Sequence, residues 1–507
     1  MSNNRMPKEM AKNAPPTVEA KGALSRYGLF LGVASMLVIV FLPQQPGLPV
    51  AGHYMLGILA FAVVIWMTEA ISYPVSAVVI TALMALMLGF APDLAKPDTA
   101  MGTSKALSMA LGGFSNTAWA LVGGALFLAA AMTRTGLDRR IALLVLSKVG
   151  AKTNRILIGV IFIGFLLSFF VPSTTARVSA MVPIVMGVII AFGVPLRSRF
   201  AGMLMIAVAQ ADSLWNVGIK TAAAQNMVAV SFIEKQLGVN VSWLDWFIAA
   251  APFSAIMSVV LYFILMKMMP PEMEEIEGGQ ALVAKELQEL GPMRGEEKRL
   301  LAISLVLLLF WSTEKIAHPL DTSTTTIAAI ALMFLPRIGV MTWKEVQNAI
   351  PWGTLVLFGI GISVGSALLS TKAAPWLATW ISSSFGLQSA TALTILAVLS
   401  LFLILIHLGF ASATGLAAAM IPIVISVLQS VQTPGINVVG MTMILQYVVS
   451  FGMILPVNAP QNMVVYGTDT FSVRDFVRTG IPLTVIAYLL VLLMGATYWR
   501  WLGLLGS

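Results

Sequence analysis

Between residues 25 and 503 the chain is a succession of apolar runs, many of them about 20 residues long, the length that crosses a bilayer as a helix. Uninterrupted runs cover 25–43, 54–70, 74–91, 117–133, 248–269, 299–313, 324–338, 352–370 and 481–503. Of the 507 residues 58% are apolar and 10% charged, with a mean hydropathy of +0.90. A soluble domain carries about 25% charged residues, and no soluble core absorbs this much apolar surface. A bilayer supplies no water to peptide groups, so the runs must satisfy their own backbone as helices. The expected fold is an all-α polytopic membrane protein.

The formal charge of +8 does not point to nucleic acid, because Lys and Arg gather in short loops: "TRTGLDRR" (133–140), "RSR" (197–199) and "RGEEKR" (294–299). That is the positive-inside pattern of membrane topology. No cysteine is present, which excludes disulfides and thiolate metal sites. Residues 1–24 are polar and lack the apolar core of a signal peptide, and are expected to form a cytoplasmic tail.

The two halves repeat each other. "WMTEAISYP" (66–74) matches "WSTEKIAHP" (311–319), "STTARVSAMVPIV" (173–185) matches "SATGLAAAMIPIV" (412–424), and "AAAQNMVAV" (222–230) matches "NAPQNMVVY" (458–466). The offsets are 245, 239 and 236, in the same order, and three collinear matches imply an internal duplication. With the tail inside, the basic loops near 134–155, 195–200, 270–299 and 471–480 all fall inside. The run 117–133 then descends inward while its counterpart 352–370 rises outward, so the repeats are inverted and the C-terminus lies outside. Inverted repeats with interrupted helices at mid-membrane depth are characteristic of secondary transporters.

Four apolar segments, 155–193, 201–235, 389–428 and 438–467, are broken by polar clusters. Pro172 ends one run before "STTA", and loops predicted cytoplasmic flank both sides, so 155–193 reads as a re-entrant hairpin. Its mate, 389–428, carries "GFASATG" (409–415) at the tip. A helix that begins at such a tip aims free N–H groups and its positive dipole end at whatever lies opposite. Ser173, Thr174, Thr175, Ser412 and Thr414 add hydroxyl donors, and two facing tips suit an anion charged at both ends. Asn226 and Asn462, in the paired "QNMV" breaks, are expected to line the same site with amides, or else to pack between helices.

These motifs, with "GGALFLAAAMTRTGLDRRIALLVL" (123–146), resemble the divalent anion:sodium symporter family, over nearly all the chain from residue 25 onward. That family includes bacterial citrate/succinate and tartrate/succinate antiporters and plastid oxoglutarate/malate translocators. The resemblance implies two inverted repeats with about 11 transmembrane helices and two re-entrant hairpins, a homodimer in the bacterial inner membrane, no cofactor, and a transport domain that moves against a scaffold. On that plan 25–133 and 299–371 form the scaffold, 134–269 and 372–507 the transport domain, and 270–298 a cytoplasmic linker. The implied substrates are C4 to C6 di- and tricarboxylates such as 2-oxoglutarate, malate, succinate, fumarate and citrate.

Sodium-coupled members of that family carry Ser-Asn-Thr at both tips, whereas here the tips read Ser173-Thr174-Thr175 and Ser412-Ala413-Thr414. The "SNT" at 115–117 is out of register and reads as a loop or helix start. The proline usual before the asparagine is Gln225 in one half and Gln461 in the other. Arg177 stands one turn beyond the first tip and His407 five residues before the second, as in the exchanger branch. The expectation is that these two groups replace sodium's charge; the competing readings are a carbonyl-bound structural arginine and a packing histidine. Lys220 and Asp212 either pair with each other or leave Lys220, with Thr221, to contact the anion. Glu69 and Glu314 hold matched positions and read as helix-junction devices.

The leading reading is a sodium-independent exchanger, and the second is a sodium- or proton-coupled symporter of the same fold. An enzyme is not expected: His53, His318 and His407 are far apart in the sequence, H-E-x-x-H does not occur, and the one G-x-S-x-G string, "GISVG" (361–365), lies inside the apolar run 352–370 rather than at a strand-to-helix turn. Broken repeats with closed tips also suit alternating access better than a channel.

Overall fold

A computed structural model describes residues 23–191, 193–275 and 279–506. The expected tail lies outside the described residues up to residue 22, and the first helix, Ala23–Phe41, takes its last two positions. The described residues are almost entirely helical, with isolated β-bridges and no strand. Among the described residues, eight helices are long and apolar enough to cross a membrane. Six shorter apolar helices accompany them, among them Tyr73–Leu88, Ala392–His407 and Val438–Val449. The helix Arg199–Gly218 is buried from Phe200 to its end, so protein surrounds it on every side beyond its exposed first residue.

The duplication read from the sequence is present in the backbone. The "W-x-T-E" segments each end a helix and turn the chain into the next. Glu69 takes a left-handed conformation (φ 47°) after Val50–Thr68, and Tyr73 Oη donates to its Oε1 at 2.8 Å. In the second copy Glu314 Oε2 accepts from Thr322 Oγ1 at 2.7 Å and from the Trp243 N–H at 3.4 Å. Each motif tryptophan donates to a hydroxyl on the following helix, Trp66 to Ser76 and Trp311 to Thr326, both at 3.2 Å. A buried indole N–H needs such a partner, which explains why both motifs keep the tryptophan beside a hydroxyl-bearing helix.

Three amphipathic helices were not expected from the apolar pattern: Thr103–Leu111, Leu137–Val149 and Ala373–Ser384. Each is too short and too polar to register as a span. The last two are repeat mates, each bracketed by left-handed residues: Gly136 (φ 74°) and Gly150 (φ 87°) around one, Lys372 (φ 65°) and Gly386 (φ 63°) around the other. The central linker contains the helix Gly279–Glu289 and is pinned at its end. Arg140 Nε donates to Glu297 Oε2 at 2.6 Å with both side chains buried, and its Nη1 donates to the Gly291 carbonyl at 2.9 Å. Asn116 of "SNT" caps the helix Thr117–Thr135, its Oδ1 accepting from the Ala118 N–H at 2.7 Å.

Small residues set the closest helix crossings, as they do wherever membrane helices pack backbone to backbone. A Cβ on Gly113 would lie 2.0 Å from the Gly359 carbonyl oxygen, and one on Gly361 would lie 2.5 Å from Ala418 Cβ. The first of these contacts is with backbone and cannot yield by a rotamer change. Gly113→Ala is expected to cost about 1–3 kcal/mol through overpacking, visible as a lower thermal unfolding midpoint of the purified protein in detergent. An unchanged midpoint would show that the crossing relaxes freely.

Candidate functional site

The first hairpin is formed by Thr153–Phe170 and Thr174–Ala191, the second by Ala392–His407 and Ala413–Ser430. Their tips are built alike. Ser173 Oγ accepts from the Ala176 N–H at 3.4 Å, and Ser412 Oγ accepts from the Gly415 N–H at 3.3 Å. The Arg177 and Leu416 N–H groups close the first turns on the Ser173 and Ser412 carbonyls, each at 3.0 Å. The serines thus act as N-caps, and the first helical N–H groups beyond them have no intrahelical acceptor. Both 18-residue helices point this positive end at one cavity.

Each broken helix follows a common design. Arg199–Gly218 stops, Ile219 is extended (φ −125°, ψ 120°), a single 3-10 turn covers Lys220–Ala222, Ala223 is extended again, and Ala224–Leu237 follows. In the second half Val438–Val449 stops, Leu455 (φ −115°, ψ 142°) and Ala459 (φ −153°, ψ 142°) flank the turn Pro456–Asn458, and Pro460–Tyr466 follows.

Asn226 and Asn462 serve these breaks and do not line the cavity. Asn226 Nδ2 donates to the carbonyls of Asn216 at 2.7 Å and Ile219 at 3.2 Å. Asn462 Nδ2 donates to Gly452 at 2.8 Å and Leu455 at 3.4 Å, the repeat-equivalent positions. Both side chains are fully buried. The correction has a plain cause: unwinding a helix frees carbonyls, and buried carbonyls must find donors. The residue one step earlier faces the cavity in each half, Gln225 and Gln461.

Arg177 is also not a cation bordering the cavity. It is 1% exposed and paired through Nε with Asp212. Its Nη1 donates to the carbonyls of Val171 at 2.7 Å and Ala222 at 2.9 Å, and its Nη2 to Asn216 Oδ1 at 2.6 Å. A guanidinium with five fixed donors suits this gathering of oxygens from the hairpin and the broken helix. The second half does the same task with other groups. Asn458 Nδ2 donates to the carbonyls of His407, Leu408 and Phe410 at 2.9, 3.1 and 3.1 Å. His407 Nε2 lies 3.3 Å from the Asn458 carbonyl, which can only accept, so Nε2 carries the proton. His407 does line the cavity, although it is 1% exposed.

Asp212 and Lys220 do not pair with each other. Lys220 Nζ instead donates to the Val241 carbonyl at 2.7 Å and to Thr322 Oγ1 at 3.4 Å, away from the cavity. Thr322 in turn donates to Glu314. Thr221 lines the cavity and accepts from Trp243 Nε1 at 3.2 Å.

The cavity measures about 620 Å³. Ser173, Thr174, Thr175, Ser412 and Thr414 from the tips share it with Asn216, Thr221, Gln225, Ser450 and Gln461 from the breaks. The opposite wall is apolar: Leu121, Val122, Ala125, Leu126 and Ala129 of Thr117–Thr135. Apart from His407, no side chain lining it is a titratable acid or base of the Asp, Glu, Lys, Arg or His kinds. One end reaches Thr133 and Ala349, beside the ion network in which Arg134 meets Glu296 at 3.0 Å and Glu345 at 2.7 Å. Hydrogen bonds from Arg134 and Thr342 hold the Glu345 carboxyl down at about 2. Asn216, Ser450, Gln225 and Gln461 were not singled out as ligands from the sequence. The repeated "QNM" did carry a signal for the glutamines, since adjacent residues in a helix point to different sides.

Two outcomes follow from these contacts. Arg177→Gln leaves Asp212 buried without its counter-charge and is expected to cost about 3–5 kcal/mol, with Arg177→Gln/Asp212→Asn recovering much of the loss; melting curves of the three proteins would check it. Asn226→Ala should lower stability by about 1–3 kcal/mol, because it strands buried carbonyls. A melting point equal to wild type would mean the break is held elsewhere.

The comparisons with known proteins agree with this fold. A structure of the YdaH transporter of Alcanivorax borkumensis shares the fold, with a TM-score of 0.53 at 17% identity, covering 84% of this chain and 97% of that one. A relative described as a membrane protein of Cupriavidus necator is 58% identical over 478 residues, 94% of this chain and 93% of its own. The citrate/succinate antiporter of Escherichia coli K12 is 26% identical, covering 91% of this chain and 95% of its own. Residues 24–505 match the family model described as the sodium:sulfate symporter transmembrane region, so the chain belongs to that family, the divalent anion:sodium symporters.

Proposed function

We propose that this protein is a sodium-independent exchanger of C4 to C6 di- and tricarboxylates, working as a homodimer by an elevator-type movement. Its family and relatives support a carboxylate transporter rather than an enzyme, and its relatives of the bacterial inner membrane support that location. The observation that carries the exchanger reading is the occupancy of the oxygen clusters between hairpins and breaks. A sodium site needs several converging oxygens. Here the carbonyls of Val171 and Ala222 already bind Arg177, and those of His407, Leu408 and Phe410 already bind Asn458. Nitrogen donors built into the chain do what a bound cation would do, and they cannot leave with the substrate. Because Asp212 neutralises Arg177, the role of that arginine is to hold the site together, not to present a bare charge.

The anion is held by the helix ends after Ser173 and Ser412, and by the hydroxyls of Ser173, Thr174, Thr175, Ser412 and Thr414. The moving body comprises residues 134–269 and 372–507, and the scaffold 25–133 and 299–371, with the N-terminus cytoplasmic and the C-terminus outside. The basic and acidic groups around Arg134 then mark the cytoplasmic mouth, and the cavity opens inward. Obligate exchange follows from the wall opposite. An empty site carries unpaired N–H groups past Leu121, Val122, Ala125 and Leu126, and each unpaired polar group in apolar surroundings costs about 1–3 kcal/mol. Bound substrate pairs them and lowers the barrier. The second reading, a sodium- or proton-coupled symporter, draws on the family description, which names sodium symport.

Efflux of labelled dicarboxylate from liposomes preloaded with substrate separates the two. Rapid release is expected only with unlabelled dicarboxylate outside, at the same rate in sodium and in potassium buffer. Saturable activation by sodium, or fast efflux into substrate-free buffer, would overturn the exchanger reading.

A further inference from the structure

The two cavity glutamines occupy equivalent positions in the repeats but are held differently. Gln461 Nε2 donates to Ser213 Oγ at 3.1 Å, and the Ser213 hydroxyl spends its own proton on the Ala209 carbonyl at 2.9 Å. Ser213 can therefore only accept from Gln461, which fixes the amide with its NH₂ group turned away from the cavity. Gln461 is 7% exposed and lines the cavity; its Oε1 accepts from none of the described residues and is not sealed in packing, so it opens on the cavity. Gln225 Nε2 meets Ser450 Oγ at 3.4 Å, but the Ser450 hydroxyl donates to none of the described residues. That hydroxyl can serve the amide oxygen equally well, so Gln225 is free to turn either end to the cavity.

A second asymmetry points the same way. Ala224 precedes Gln225, whereas its repeat mate Pro460 precedes Gln461 and has no N–H. Beside the second break the cavity thus has one donor fewer and one fixed acceptor more. A carboxylate oxygen set against a fixed carbonyl oxygen is repelled; a hydroxyl in the same place donates a hydrogen bond. We propose that Gln461, oriented by Ser213, is a specificity-determining residue that selects hydroxy-substituted di- and tricarboxylates over their unsubstituted counterparts. The proposal rests on the carboxylate-exchange reading and narrows its substrate class.

The test measures the apparent affinity for external malate and external succinate in one exchange assay, with wild type, Gln461→Met and Ser213→Ala in liposomes. Wild type is expected to favour malate by roughly five- to tenfold, the worth of one net hydrogen bond. Gln461→Met should bring the two affinities to within about twofold of each other, and Ser213→Ala, which frees the amide to turn, should reduce the preference as well. A merely structural defect would weaken both acids together and leave their ratio intact, which would overturn the assignment. Equal wild-type affinities would also overturn it while leaving the exchange reading standing. Absence of exchange with either acid would overturn both.

Discussion

A helix that unwinds inside a membrane protein exposes carbonyls that water cannot reach, and those carbonyls organise this molecule. Four conspicuous polar residues near its centre, Asn226, Asn462, Arg177 and Asn458, are committed to them. Asn226 and Asn462 each gather carbonyls of their own break. Arg177 joins the first break to the first hairpin through Ala222 and Val171, and Asn458 joins the second break to the second hairpin through Phe410 and its neighbours. Only after the backbone is satisfied are the remaining polar groups, mainly hydroxyls and two glutamine amides, left to face a cavity.

The two halves reach this result with the same geometry and different chemistry. The extended residues Ala223 and Ala459 have nearly the same dihedral angles. Yet one half uses a guanidinium with a carboxylate partner, and the other a carboxamide with an imidazole. A cluster of carbonyls demands donors at given positions; it does not demand a particular side chain, and the guanidinium charge is tolerated at this depth because Asp212 neutralises it. Duplication therefore preserved the arrangement of oxygens while the donors diverged.

Much of this was legible in the sequence. The apolar runs implied an all-helical membrane protein, and the collinear repeats located the hairpins and the breaks; Ser173 and Ser412 were read there as donors to the substrate, and their capping of the tip helices is seen only in the structure. The apolar pattern could not show which face of each "QNM" segment turns inward, because Gln and Asn differ by one methylene and carry the same amide. It also gave no sign that Asp212 answers Arg177, since the two are 35 residues apart and on different helices. The helices Leu137–Val149 and Ala373–Ser384 escaped for a different reason: lying amphipathic and short, they carry no span-length signal.

Those two helices carry a mechanical consequence. Each is a rigid bar of 13 or 12 residues with a bend at both ends, at Gly136 and Gly150 or at Lys372 and Gly386. At 1.5 Å per residue the bars are about 20 and 18 Å long. Under the proposed elevator movement these bars open the two moving segments, and a body linked to the scaffold through them would swing to a new height with its orientation kept, as a drafting arm keeps its ruler parallel. As links in such an elevator the bars would limit the stroke to about twice their own length, and a swing of about 60° would already move the body by one bar length.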